Sequence, residues 1–206
     1  MKFSDYRWTA ADMIGGNAAL DFVNTASDWA TDPVDRLGGP AGLGIWAGVA
    51  GLLDEEDLER MRREIDENEE CANRLFEEAL VLRSALYRIF LAAGAGEAAR
   101  QDDLDILNAW KVRAARHCEI RQDENGFRRR CADEAPALER AMRLIVEAAE
   151  ELLLHGRLDR LRSCGGDDCE WMFLDQSKNG KRRWCSMATC GNEHKVKQFR
   201  KRNKAA

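Results

Sequence analysis

Two short stretches, Cys164-Gly-Gly-Asp-Asp-Cys169 and Cys185-Ser-Met-Ala-Thr-Cys190, decide the fold of the C-terminal part of this chain. Each cysteine pair brackets four residues, and fifteen residues separate the two pairs. Zn²⁺ prefers four soft, deprotonated ligands in a tetrahedron, and two cysteine loops joined by a turn supply such a set. The spacing therefore predicts one structural zinc ion bound by Cys164, Cys169, Cys185 and Cys190. Because four thiolates leave no position open to water, we expect this zinc to hold the fold and not to catalyse a reaction.

The size of the cysteine-containing segment also favours a metal. Of the 206 residues, residues 1–156 are numerous enough to bury a core of their own. Residues 157–206 are near the ~40–50 residues at which an apolar core alone becomes marginal, so a staple is expected there. The sequence predicts two domains, a helical body at 1–156 and a zinc finger at 157–206.

Inside the finger, the segment between the cysteine pairs is predicted to form a β-hairpin. Residues 171–175 and 182–184 flank Asn179-Gly180, a dipeptide typical of tight hairpin turns. A helix after Cys190 follows, with Val196 and Phe199 spaced to dock it on the hairpin. The order of loop, hairpin, second cysteine pair and helix is that of a treble clef or a zinc ribbon.

Charge is distributed unevenly along the chain. Residues 171–204 contain ten lysines and arginines against two acidic residues, a net +8, so the remainder carries −13 of the total of −5. This asymmetry predicts an anionic partner at the C-terminal end, DNA first, although a merely solvated tail is the simpler alternative. The candidate nucleic-acid contacts are Arg182, Arg183, Lys195, Lys197, Arg200, Lys201 and Arg202.

The body is predicted to be mainly α. Apolar residues recur at helical spacing through most of residues 1–156. One small β-hairpin is expected, with strands at 117–122 and 127–131 around Asn125-Gly126. The predicted fold class is thus a helical N-terminal domain with a small hairpin, followed by a four-cysteine, treble-clef-like or zinc-ribbon-like finger.

Three polar residues in the first predicted helix are candidates for a ligand pocket. Asp21, Asn24 and Thr25 stand at i, i+3 and i+4, so their side chains share one helix face. Such a face can line a polar pocket for a small-molecule effector. In the simpler alternative, Asn24 and Thr25 terminate the helix and Asp21 pairs with an arginine.

The remaining cysteines and the hydropathy bear on the cellular compartment. No run of about 18 apolar residues predicts a membrane span, and the N-terminus lacks the apolar segment of a secretory signal. We therefore expect a cytoplasmic protein with no membrane partner, in which clustered thiols are metal ligands. Cys71, Cys118 and Cys131 lie outside the ligand spacing and are predicted to be ordinary buried or edge thiols.

Several short motifs resemble known families. Phe173-Leu-Asp175, Arg183-Trp-Cys-Ser-Met187 and Cys190-Gly-Asn192, followed by a basic helix, resemble the CGNR zinc-finger family. Leu20-Asp-Phe-Val-Asn-Thr25 resembles the N-terminal signature of the ABATE domain, which precedes that finger in bacterial proteins. The resemblance implies a stress-induced or ligand-responsive transcription regulator whose four cysteines bind zinc.

One residue departs from the family motif. Glu193 stands where the family name spells arginine. An acid there repels phosphate, in which case Lys195 and the later basic residues must supply the cation. Near a helix N-terminus the same acid interacts favourably with the helix dipole.

Three functions are weighed against one another. The first is a zinc-dependent, DNA-binding regulator of transcription whose body senses a ligand or forms a homodimer. The alternative is a zinc-stapled protein- or RNA-interaction module without sequence-specific DNA binding. The third is an enzyme, and since the body offers no recognisable nucleophile and base pair, we expect no catalysis.

Overall fold

Residues 6–116, 118–131, 135–167 and 169–204 are described by a computed structural model of the chain, with Lys201 and Lys204 described by their backbone alone. The fold of these residues is mainly α, as predicted. The α-helices are α1 Ala18–Val23, α2 Pro40–Val49, α3 Glu55–Glu67, α4 Glu69–Ala95, α5 Gln101–Ala115, α6 Ala137–His155 and α7 Asn192–Lys204.

Short antiparallel hairpins complete the described part of the fold. Each sheet has two strands, and the pairs are β1 Ala26–Ser27 with β2 Val34–Asp35, β3 Cys118–Asp123 with β4 Gly126–Cys131, and β5 Leu161–Ser163 with β6 Met172–Leu174. Two isolated strands are marginal in water. The strands β3 and β4 are largely exposed, and a disulfide between Cys118 and Cys131 links their ends.

Capping residues set the boundaries of the helices around the core. Asp54 accepts a hydrogen bond from the backbone N–H of Asp57 at the start of α3, as its position before three acids predicts. The side chain of Asn68 likewise accepts a hydrogen bond from the backbone N–H of Cys71 at the start of α4. The helices α3 and α4 are therefore separated at Asn68, within a run of charged residues. Helix α4 ends at Gly96, which adopts φ +73°.

The core of the molecule surrounds α4. Its side chains Leu82, Leu86, Ile89 and Phe90 are fully buried, and α4 packs against α1, α3, α5 and α6. Helix α1, although only six residues long, is buried almost entirely between α4 and α6. Asp21, which lies in α1, and Asn24 and Thr25, which follow it, are therefore buried in the middle of the protein.

The predicted body hairpin is present, with a correction to its cysteines. Strands β3 and β4 pair so that Cys118 stands opposite Cys131, and a disulfide joins them. The prediction of free thiols at these two positions was wrong, while Cys71 is a free, exposed thiol. The reason is the register, which makes the two cysteines cross-strand neighbours. His117, part of the predicted first strand, lies outside the described residues.

The predicted finger hairpin has a different partner. Strand β6 pairs with β5, in the register Leu161–Leu174, and not with residues 182–184. The loop after β6 is closed instead by the buried side chain of Asp175, whose oxygens accept hydrogen bonds from the backbone N–H groups of Ser177 and Arg182, both at 2.9 Å. Because the Asp175 carboxylate accepts hydrogen bonds from both ends of this loop, the loop is closed without backbone pairing between two strands.

None of the helices in the described ranges combines the length and the apolar character that a membrane span requires.

Candidate metal centre and nucleic-acid interface

The four predicted zinc ligands come together in space. The sulfur atoms of Cys164, Cys169, Cys185 and Cys190 all lie within 4.8 Å of one another. Two of these separations, from the Cys185 sulfur to those of Cys169 and Cys190, are 3.6 Å. With Zn–S bonds of about 2.3 Å, the edge of a ZnS₄ tetrahedron is roughly 3.8 Å, so the set fits one zinc ion.

Hydrogen bonds among the thiols of this cluster shift their pKa values. Hydrogen bonds from the Cys169 and Cys185 thiols lower the pKa of Cys164 to about 2. Hydrogen bonding to Cys164 in turn raises the pKa values of Cys169 and Cys185 above their ordinary range. Four adjacent sulfurs cannot all be thiolates by themselves, and a divalent ion removes that restriction. The chain therefore has one structural zinc site.

Backbone and apolar groups hold the ligands in place. The N–H of Cys185 donates to the sulfur of Cys164 at 3.3 Å, and this hydrogen bond stabilises negative charge on that sulfur. Cys164 and Cys185 are buried against Trp171 and Phe173 in a small apolar cluster separate from the main core. Four cysteine ligands leave no open coordination position, so the site is structural.

Gly191, the glycine of the Cys190-Gly-Asn192 motif, lies in close packing at the end of the π-helical turn Met187–Gly191. A Cβ there would lie 2.8 Å from the Met187 sulfur and 3.3 Å from a ring carbon of Trp184. A side chain at this position would therefore displace the exposed Met187 side chain and crowd the indole. The chain then continues directly into α7.

The finger is joined to the body by the side chain of Asn24. Its amide N–H₂ donates to the carbonyl of Met172 at 2.9 Å, and its oxygen accepts the N–H of the same residue at 2.7 Å. Asn24 is 1% exposed and pairs with the outer edge of β6 as a neighbouring strand would. Met172 itself is part of the main apolar core.

Further bonds extend this junction along the same edge. The indole N–H of Trp171 donates to the carbonyl of Ala26 at 3.1 Å. The N–H of Leu174 donates to the carbonyl of Gly15 at 2.9 Å. Strand β6 is thus bonded on one side to β5 and on the other to the N-terminal part of the body.

The other two predicted pocket residues also have protein partners. Thr25 donates to the carbonyl of Phe22 at 2.7 Å and accepts from the buried Arg83 at 2.8 Å. Asp21 accepts the N–H of Gly15 at 2.7 Å, where we expected an arginine. Burial raises the pKa of Asp21 to about 6, against the opposing effect of its backbone hydrogen bonds.

Asn24 caps the end of α1 and Thr25 follows it, whereas Asp21 lies within α1 and holds the preceding turn at Gly15. A ligand pocket at these residues stays a prediction. No pattern in the sequence indicates that Met172 is the partner of Asn24. The available signal was the i, i+3 spacing, which shows that polar side chains share a face but not what they contact.

The candidate nucleic-acid residues have different surroundings. Arg182 donates to the carbonyls of Trp184 and Cys185 and lies 4.3 Å above the Phe173 ring, so its guanidinium is engaged inside the finger. The guanidinium of Arg183 lies 4.9 Å from the Trp184 ring centre, and its side chain is exposed.

The helix α7 holds the other candidates. The side chains of Lys195, Arg200 and Arg202 are exposed, and Lys197 pairs with Asp167 at 2.8 Å. The side chain of Lys201 lies outside the described part of the chain. These residues form a basic helix that extends away from the zinc site.

The docking predicted for α7 was wrong. Val196 is 47% exposed and Phe199 is 64% exposed, so neither packs on the hairpin. The helix is held at its start, where the ring of His194 lies 4.7 Å from that of Trp184. Glu193 lies in the first turn of α7, where an acid interacts favourably with the helix dipole.

Comparisons with known proteins identify two families along the chain. The profile of the ABATE family, described as "putative stress-induced transcription regulator", matches residues 16–156. The profile of the CGNR zinc finger matches residues 160–203. A search of curated proteins found no match. Both family predictions are confirmed, and so is the zinc cofactor.

Proposed function

We propose, since this chain belongs to the ABATE family and ends in a CGNR zinc finger, that it is a DNA-binding regulator of transcription. In this proposal the finger contacts DNA, and the body is a sensing or dimerising domain without enzymatic activity. The observation that carries the proposal is the placement of α7, a basic helix fixed at its first turn to a zinc site and exposed along its length.

Electrostatics supports an anionic partner for the finger. The +8 segment attracts phosphate, whereas the remainder of the chain carries a net charge of −13. A single exposed α-helix is the element that enters a major groove. Lys195, Arg200 and Arg202 are proposed to contact phosphates, with Arg183 beside them, whereas Arg182 is assigned to holding the finger together.

A DNA-binding assay against salt concentration tests this function. The test variant is Arg200→Gln/Arg202→Gln on α7, and the control is Arg62→Gln/Arg63→Gln, two exposed arginines on α3. Each phosphate contact contributes about 0.9 to the slope of log K against log salt concentration, so the test variant should lower the slope by about two. The control should leave it unchanged. Equal losses in the two variants, or no duplex binding by the parent protein, would refute the proposal.

The alternative, a protein-interaction module, has one observation in its favour. Val196 and Phe199 are exposed apolar residues on the same face of α7. In the groove of DNA such residues contact thymine methyl groups, so Phe199→Ala should weaken duplex binding. If Phe199→Ala leaves duplex affinity intact, the apolar face serves another partner and the alternative is favoured.

A further inference from the structure

A cleft on the body is lined by an unusual number of arginines. It lies between α5, β4 and α6, on elements other than the zinc finger, and has a volume of about 540 Å³. The arginines that line it are Arg113, Arg128, Arg129, Arg130, Arg140 and Arg143.

Two carboxylates inside the cleft offset part of this charge. Glu139 pairs with Arg113 at 2.6 Å. Glu147 pairs with Arg129 at 2.9 Å and with Arg143 at 3.0 Å. Among the described residues of the lining, six arginines against two glutamates give a charge of +4, which carboxylates behind the lining offset in part. Like charges in a concave site repel one another, and an anionic occupant relieves that repulsion.

Some of these arginines also form ion pairs with carboxylates that do not line the cleft. The pairs are Arg113–Glu78 at 2.6 Å, Arg128–Asp123 at 2.8 Å and Arg140–Asp57 at 3.4 Å. A guanidinium has five N–H donors in a rigid fork, so an ion pair on one edge fixes its direction and leaves other donors available. The outer carboxylates therefore preorganise the arginines, which lowers the cost of binding a ligand.

Arg130 differs from the rest of the set. Within residues 6–116, 118–131, 135–167 and 169–204 no carboxylate pairs with it, and its side chain is exposed. It neighbours the cleft on β4, beside Cys131, whose disulfide to Cys118 fixes the end of the hairpin. A cation held on a cross-linked strand at the rim of the cleft is positioned to meet an incoming anion.

We infer that this cleft binds a small molecule with two or more phosphate or carboxylate groups. Planar guanidinium groups bind both of these oxyanions through paired N–H donors. The volume is within the range of about 300–1,000 Å³ that small-molecule sites occupy, which favours a small ligand over a nucleic-acid duplex. The indole of Trp110 and the methyl group of Ala114 supply an apolar wall for the rest of the molecule.

The inference goes beyond DNA binding and does not depend on it, since the cleft and α7 are on different elements. It also places the anion site away from Asp21, Asn24 and Thr25. Loss of DNA binding and loss of anion binding can therefore be observed separately.

Titration calorimetry on the full-length, zinc-loaded protein tests the inference at constant ionic strength. The probes are pyrophosphate and citrate, which separate a phosphate ligand from a polycarboxylate. Saturable one-to-one binding of either probe is expected, and the probe that binds more tightly identifies the class of ligand. No saturable binding of either would overturn the inference.

Matched variants locate the binding. Arg130→Gln should weaken it by about tenfold or more, because a charge-assisted hydrogen bond is lost. Arg121→Gln removes the same charge from β3 of the same hairpin, outside the cleft, and should change affinity less than about threefold. Arg200→Gln on α7 should have no effect. Equal losses for Arg130→Gln and Arg121→Gln, or loss of binding with Arg200→Gln, would place the anion elsewhere and refute the site.

Discussion

The two halves of the zinc finger are held in place by different forces. The first half, β5 and β6, shares Leu161 and Met172 with the main apolar core and is bonded to the body along one edge of β6. The second half, from Cys185 to the end of α7, meets the first mainly at the sulfur cluster and around Trp184. We therefore expect zinc to be needed above all to attach the second cysteine pair and the basic helix, rather than to fold the whole of residues 157–206.

The largest predicted effect follows from removing a zinc ligand. Cys185→Ser should reduce bound zinc from one ion per chain to none, since structural zinc sites depend on a complete thiolate set. Amide exchange should then become fast throughout α7 and remain slow in β5 and β6. Zinc analysis combined with hydrogen exchange measures both outcomes.

Cys71→Ser is the control for this experiment, because Cys71 is an exposed thiol far from the ligand set. It should keep one zinc ion and a protected α7. If Cys185→Ser releases β5 and β6 together with α7, the two halves are one metal-dependent unit and the comparison fails.

The next largest effect concerns the junction. Asn24→Ala leaves both the N–H and the carbonyl of Met172 without their partner in a buried site. Each unsatisfied buried group costs about 1–3 kcal/mol, so the free energy of unfolding should fall by about 2–4 kcal/mol. Urea unfolding measures this change. Asn192→Ala removes an exposed bond to Ala188 and should cost less than about 1 kcal/mol.

These two predictions also mark how much the sequence could reveal. The zinc ligands were predictable because a tetrahedral site restricts both the type and the spacing of its ligands. The basic helix was predictable because its charges are consecutive in sequence. Both signals come from residues that are close in sequence, so they do not depend on how distant parts of the chain pack.

The junction was not predictable, because Asn24 and Met172 are 148 residues apart. The pairing of β6 was misassigned for a related reason. Asn179-Gly180 is a strong turn signal, but Asp175 closes that loop with its side chain and leaves β6 to pair with β5. A turn signal indicates where the chain reverses and does not identify the strand that pairs.

The disulfide depends on a register that the turn signal does not fix. In the structure a two-residue turn at 124–125 places Asp123 opposite Gly126, and counting outward places Cys118 opposite Cys131. An Asn-Gly turn centred on 125–126 would instead place Ile120 opposite Cys131. The two cysteines therefore could not be paired from the turn signal alone.

A pH-dependent effect tests the burial of Asp21 beside the junction. Its pKa is about 6 in the folded protein, and an unfolded aspartate has a pKa of about 3.9. Between these values the folded state keeps a proton that the unfolded state has released. The contribution of Asp21 is thus fully present below pH ~4 and is lost as pH rises to ~6, by up to about 2–3 kcal/mol.

Asp21→Asn should abolish this part of the pH dependence, because a neutral amide oxygen still accepts the N–H of Gly15. Urea unfolding of both proteins at several pH values from about 4 to 7 measures it. Loss of zinc in acid is common to the two proteins and cancels in their difference. If the two proteins differ in their free energy of unfolding by the same amount across this pH range, burial does not raise the pKa of Asp21.

The smallest effect isolates one bond of the junction. Trp171→Phe keeps an aromatic ring between the finger and the body but removes the indole N–H that donates to Ala26. Because Ala26 is fully buried, its carbonyl then lacks that donor, and the free energy of unfolding should fall by about 1–2 kcal/mol. Zinc content should remain one ion per chain, since no ligand is altered.

When Trp171→Phe is combined with Asn24→Ala, the loss in the free energy of unfolding should differ from the sum of the two single losses, because both side chains bond the body to β6 and its neighbouring residue. Strict additivity would show that the two bonds act independently and that the edge is not one cooperative contact.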